Sequence, residues 1–355
     1  MGEPAVRVIA HPGAGRGAFS RRWPPVAAAL EAARIPYRVE LTAGAAEAAR
    51  LARGARDEGA RLVVAVGGDG TLHEVVNGLL HGDDRLPDEP GVGLVPAGRG
   101  SDYARGLRLP TDPAALAIAF RAFLDGDPAA AERLDAGEVT YRPGALVAGR
   151  LPADGIGGRD PAAGSTDPDR SARRRFINAA GVGFSPFVAQ RTARFPARLG
   201  AYLYTAAAIL TIVDWRDRRL RLRWDDGQEE ERALESVEVL LAPYEGGGML
   251  VAPGADPTDG CFDVLLLGAV SRPEMLTFAW RVRTGAHLSS PRVELKRTGR
   301  LGIEAVDSGG PIYLQADGEL LGREPFEFRV LPAALRIVGA GGATAGGPLS
   351  GESVW

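Results

Sequence analysis

From Val6 onward the chain alternates short apolar runs with longer stretches in which apolar residues recur every three or four positions. The runs Val6 to Ala10, Tyr37 to Leu41, Arg61 to Val66 and Val92 to Val95 read as strands. Helical periodicity runs from about Phe19 to Ala33 and from Ala45 to Glu58. It resumes after Thr71, which is predicted as an N-cap with Leu72, Val75, Val76 and Leu79 on one face. Strand and helix in alternation predict a parallel sheet with helices on its faces, and ligands of such sheets bind beyond the carboxyl ends of the strands.

The period changes near Leu134. Leu134 to Tyr141, Phe176 to Ala180, Leu220 to Trp224, Val237 to Leu241, Phe262 to Leu267, Arg292 to Leu295 and Ile312 to Gln315 read as short strands of a mostly antiparallel second domain. Arg219, Arg221 and Arg223 alternate with Leu220, Leu222 and Trp224, and are read as a solvated strand face in preference to a lipid-headgroup patch. Residues 147–175 read as a flexible insertion and 339–355 as a disordered tail. Phe326 to Val330 and Leu335 to Val338 read as two strands that return the chain to the first domain. The expected division is 1–130 plus a returning 322–338, then 131–321.

Composition changes this picture little. The 355 residues carry a formal charge of -3, which argues against a nucleic-acid partner, and Lys296 is the only lysine, which excludes a lysine-dependent phosphate loop. Cys261 is the single cysteine, so no disulfide can form within the chain and a cytoplasmic setting is expected. No signal peptide is read at Met1 to Ala10. The uncharged run Leu199 to Val213 is shorter than the roughly 20 residues a spanning helix needs. The helical stretch Ala197 to Val213 around it reads as a buried core helix or, alternatively, as the lining of a lipid-tail pocket.

The chemistry gathers at glycine loops. Val63 to Val66 runs into Gly67-Gly68-Asp69-Gly70-Thr71-Leu72-His73-Glu74, a strand, a glycine turn with an acid, and a helix start. Backbone N–H groups there attract anions, so this stretch reads as a phosphate cradle. Asp69 read alone could be only a turn residue. Two further loops, His11-Pro12-Gly13-Ala14-Gly15 and Pro96-Ala97-Gly98-Arg99-Gly100-Ser101-Asp102, follow strands of the same sheet, and Asp317-Gly318-Glu319 follows Ile312 to Gln315.

In this order and spacing the motifs resemble the diacylglycerol kinase catalytic-domain family, which includes bacterial lipid kinases and sphingosine and ceramide kinases, from about Val6 to Val338. The resemblance implies an α/β fold: an N-terminal, NAD-kinase-like three-layer α/β domain, then a C-terminal β-sandwich, with ATP and acceptor meeting between them. It implies an ATP- and Mg²⁺-dependent lipid kinase acting on a diacylglycerol-like or sphingoid hydroxyl. Nucleotide contacts are implied for His11, Pro12, Gly13, Ala14, Gly15, Thr42, Gly67, Gly68, Asp69, Gly70, Thr71, Leu72, His73, Glu74, Gly98 and Arg99. Asp69 would orient the metal, and Glu319, partnered by Asp317, would take the acceptor's proton with a pKa raised toward neutrality. A structural Mg²⁺ is implied at the Asp259 carboxylate and the Asp256 and Cys261 carbonyls, where the residues alone also allow a simple Asp-Gly turn. A peripheral contact with the inner membrane face follows, and a homodimer is allowed.

The pattern departs from relatives at His11, His73, Arg99 and Ser101, which leaves the nucleotide contacts open. A kinase of a soluble acceptor such as NAD shares the cradle. A catalytically silent nucleotide- or lipid-binding regulator is the third reading.

Overall fold

The computed structural model describes residues 4–13, 17–44, 46–98, 100–143, 171–194, 210–211 and 217–340. The expected insertion and tail therefore lie almost wholly outside the described residues, as do Ala14, Gly15, Arg99 and nearly all of the stretch Ala197 to Val213.

Chain order gives β1 (Val6–Ala10), α1 (Ala18–Ala32), β2 (Tyr37–Leu41), α2 (Glu47–Asp57), β3 (Leu62–Gly67), α3 (Asp69–Leu79), β4 (Gly91–Pro96), α4 (Asp102–Gly106) and α5 (Pro113–Leu124). Strands β2, β1, β3 and β4 pair in parallel in that order, with Val8 level with both Val39 and Val64. Every residue of β1 and β3 is buried, because helices cover both faces: Leu72, Val75 and Val76 of α3 pack on one side, Trp23, Val26 and Leu30 of α1 on the other. Burial of such side chains is worth about 1.5–3 kcal/mol each and holds the layers together. The sequence reading omits α5, although the Asp112 carboxylate caps it by accepting from the Ala115 N–H at 2.9 Å.

The second half contains β5 (Ala131–Pro143), β6 (Ala172–Phe176), β7 (Ala179–Gly183), α6 (Phe184–Arg194), β8 (Arg218–Trp224), β9 (Glu229–Leu240), β10 (Tyr244–Glu245), β11 (Met249–Leu250) and β12 (Phe262–Gly268). After these come α7 (Arg272–Arg281), β13 (Val293–Thr298), β14 (Arg300–Ala305), β15 (Tyr313–Ala316) and β16 (Glu319–Val338). The expected strand Phe176 to Ala180 is two strands broken at Ile177 and Asn178. Strands β9, β7, β15, β16, β14 and β8 pair in a closed ring around Phe176, Phe262, Phe326 and Phe328. Arg219, Arg221 and Arg223 face out from this ring into an ion-pair ladder with Glu229, Glu231, Glu304 and Glu327, so the face is solvated and also charge-matched.

The two expected final strands are one. β16 runs 20 residues, with register shifts between Arg323 and Glu327 and between Leu331 and Leu335. It pairs antiparallel with β5, β14 and β15, and its far end pairs in parallel with β4, Ile337 beside Val92. One strand thus joins the parallel strands and the ring into a continuous sheet. Among the described residues no helix is long and apolar enough to cross a membrane.

Candidate active site

Carboxyl ends of the parallel strands line up. The His11 N–H donates to the Val66 carbonyl at 3.3 Å, the Ala97 N–H to Gly67 at 2.8 Å, and the Thr42 N–H to Ala10 at 2.9 Å. His11 Nδ1 and Thr42 Oγ1 lie 2.9 Å apart, so these two expected nucleotide contacts touch each other. Gly68 and Gly98 touch through their backbones: a Cβ on Gly98 would sit 2.5 Å from the Gly68 Cα. Only glycine permits that approach, and it fixes two of the loops as one surface.

The helix after the Gly-Gly turn begins earlier than expected. Asp69 opens α3 and Gly68 is its N-cap, so Thr71 is inside the first turn and not the cap. Asp69 turns away from its own helix and accepts the N–H groups of Asp102 (3.2 Å) and Tyr103 (3.3 Å), capping α4. Glu74 accepts the Ala48 N–H at 3.2 Å and caps α2. Both acids therefore hold neighbouring elements, where the sequence placed them at a helix start or a nucleotide.

A cavity of about 250 Å³ opens beyond these loops, lined by Asp69, Gly100, Asp102, Glu245, Gln315 and Asp317 among others. The sequence reading missed Asp102 as a site residue, with Glu245 and Gln315. Asp102 accepts the Gly247 N–H at 2.7 Å and pairs with Arg105 at 2.9 Å. Gln315 donates to Glu245 at 2.7 Å. A usable signal is the run Gly246-Gly247-Gly248, which marks a tight turn; all three adopt positive φ, in a hairpin that brings Glu245 to the cleft.

Asp317 and Glu319 meet His73 here, across 244 residues of sequence for the His73–Asp317 pair. His73 Nδ1 lies 2.8 Å from Asp317 Oδ2 and Nε2 lies 3.3 Å from Glu319 Oε2. Arg174 donates to Glu319 at 2.5 Å. Asp317 also accepts from the N–H groups of Ile177, Asn178 and Ala179 at 3.0, 3.0 and 3.2 Å. It is the knot that ties α3 to the break between β6 and β7.

Two family models match the chain in succession: the diacylglycerol kinase catalytic domain over residues 5–134 and the YegS C-terminal NAD kinase beta sandwich-like domain over residues 178–339. The chain belongs to the diacylglycerol kinase catalytic-domain family. It is similar to a diacylglycerol kinase of Staphylococcus saprophyticus, 25% identical over 93% of this chain and 94% of the relative. A diacylglycerol kinase of Mycobacterium tuberculosis is 27% identical over 94% of each chain. A crystal structure of a diacylglycerol kinase from Bacillus anthracis has a TM-score of 0.61 at 18% identity, covering 94% of this chain and 96% of that one, a likeness of fold. The protein is accordingly an enzyme, a lipid kinase.

Charge in the kinase's cleft differs from the expectation. Burial alone would raise the Glu319 carboxyl, but His73 and then Arg174 outweigh it and hold Glu319 at about 2, where a pKa near neutrality was expected of a base. Burial would lower His73, yet Glu319 and Asp317 raise it to about 9, so it is an imidazolium at neutral pH. The raised carboxyls are others. Burial, then the charge of Asp102, lifts Asp69 to about 6, and burial lifts Glu245 to about 7.

These shifts carry a pH dependence. The raised His73 contributes stability in full below its ordinary 6.5, and loses it as pH rises through about 9. The lowered Glu319 contributes in full above its ordinary 4.5, and loses it as pH falls through about 2. Urea unfolding of wild type should weaken between pH 6.5 and 9. His73→Gln should lack most of that slope, and an equal slope in both would show His73 to be neutral in the fold.

At the expected structural metal position, the Asp259 carboxylate forms an ion pair with Arg297 and accepts the Cys261 N–H at 2.9 Å, while Asp256 accepts from Thr258 at 2.6 and 3.0 Å. Among the described residues no group of three His, Cys, Asp or Glu side chains is placed to hold a metal unaided.

Proposed function

We propose that the kinase uses ATP with Mg²⁺ to phosphorylate a hydroxyl of a diacylglycerol-like or sphingoid lipid. The observation that carries this reading is the cleft itself. Glycine loops at the ends of β3 and β4 meet the carboxylates of Asp69, Asp102 and Asp317 there, and a second, apolar cavity opens from the same wall through Ser185 and Glu245. An apolar annex favours a lipid acceptor over a soluble one such as NAD.

The donor set fits the implied ion. Asp69 and Asp102 are hard oxygen ligands, and burial raises both carboxyls, with the charge of Asp102 adding to it at Asp69. With too few side chains to cage an ion alone, the residues suit one that brings phosphate and water ligands with it. Magnesium bound there would neutralise charge on the triphosphate. Asp69 would hold the Gly98 to Asp102 loop in register for it, and Gly68 and Gly98 would let backbone N–H groups approach phosphate oxygens. Glu319 keeps its proposed place as proton acceptor, with the demand on it modest, because phosphoryl transfer passes through a loose transition state. The structural ion at Asp259 is also supported: Asp263 Oδ2 is buried without a partner, and burial raises its carboxyl to about 6.

The test is incubation of purified protein with γ-labelled ATP and Mg²⁺ against diacylglycerol, sphingosine and NAD. Labelled lipid is expected. Label on NAD alone, or on nothing, would overturn the reading.

A further inference from the structure

Helix α7 has two faces with different surroundings. Its inner face, through Met275 and Phe278 with Val282 just after the helix, roofs an apolar cavity of about 90 Å³ that also meets Phe184, Met249 and Leu265. Ser185 and Glu245 line both this cavity and the acidic cleft, so the two spaces adjoin. The outer face should be polar if α7 were only a lid on a core. Instead Leu276 and Trp280, four residues apart and therefore on one side, are 48% and 77% exposed. Arginines frame them: Arg272 at the start of the helix, Arg281 at its end and Arg283 just after, all exposed. The one acid of the helix, Glu274, is engaged in a capping box with Ser271.

We propose that the outer face of α7 is the surface with which the protein docks on an anionic lipid bilayer. Tryptophan is suited to the headgroup boundary, where its ring is half apolar and its N–H is satisfied, and leucine adds buried area. Arginines at that depth are attracted by anionic headgroups, each by about 1 kcal/mol, or roughly fivefold in affinity. The chain as a whole carries -3, so its attraction to a negative surface has to be local, and a local basic rim fixes which side faces the bilayer. Docked in this way, the roof of the apolar cavity rests on the phase that holds the lipid.

Sedimentation of the full-length protein with vesicles of phosphatidylcholine, with and without phosphatidylglycerol, tests this without nucleotide or turnover. Its failure is thus distinct from failure of the kinase reading. Association is expected with the phosphatidylglycerol vesicles and to weaken with salt. Trp280→Ser, and separately Arg281→Glu with Arg283→Glu, should each reduce it about fivefold or more. Ile118→Ser, which removes an apolar side chain 70% exposed on α5 in a shallow apolar surface shared with Ala29, Ala32 and Ala33, should leave it unchanged. All these positions are exposed, so folding is retained and is checked by thermal melts. Equal binding to neutral vesicles, an equal loss with Ile118→Ser, or intact binding in the α7 variants would overturn the proposal. So would a change of oligomeric mass in Trp280→Ser with vesicle binding intact, which would give the face to a second copy of the chain.

Discussion

Asp317→Ala is expected to lower the unfolding free energy by about 3–5 kcal/mol, the scale for leaving a buried charge without its partner. The side chain is 1% exposed and receives four hydrogen bonds, from the His73 ring and from three successive backbone N–H groups. Without it a buried imidazolium loses its closer carboxylate and the break between β6 and β7 loses its acceptors. Against a typical total of about 5–15 kcal/mol, that loss is a large part of the stability. Asp317→Asn should recover only part of it, since its amide keeps one acceptor oxygen but turns a donor toward another donor. Urea midpoints for wild type and the two variants measure this; a loss below about 1 kcal/mol for Asp317→Ala would mean that water replaces the carboxylate.

Asp69→Asn should act in the opposite way, on turnover and little on stability. Its carboxylate faces Asp102 in a cleft that favours its neutral form, so the ionised acid is a local cost to the fold; losing that cost offsets the loss of one of the two α4 N–H groups it caps, and the melting temperature should change little. Transfer of labelled phosphate to lipid should fall about a hundredfold or more, the scale for deleting one preorganised electrostatic group. Steady-state rates with ATP and Mg²⁺ varied independently read this out. A variant within about threefold of wild type would remove Asp69 from the ion's surroundings.

The sequence discloses β1 and β2 to the residue, because the buried Val-rich run of β1 and the bracketed run of β2 leave little choice of register. It also discloses the glycine loops and their acids. It misplaces the start of α3 because cap rules look for a side chain that caps its own helix, whereas Asp69 and Glu74 cap α4 and α2. Pattern fails at β16, where Pro325 and Pro332 interrupt the apolar alternation while two bulges absorb them. The expected basicity of Glu319 fails for a different reason: its pKa is set by His73 and Arg174, and no local pattern announces partners so far away in the chain. Asp102 and Glu245 were hidden for the same reason, since their significance is the cavity they share.

β16 has a consequence for how the molecule comes into being. The outer edge of β4 waits for Ile337, which is made about two-thirds of the chain later on the ribosome, while everything between them is synthesised. Until then the first sheet presents an unpaired, apolar edge of the kind that recruits other chains. The nascent α/β half is therefore an incomplete object, closed only by the end of the polypeptide, and such long-range closure is slow. A fragment that stops before residue 319 would inherit that open edge for good.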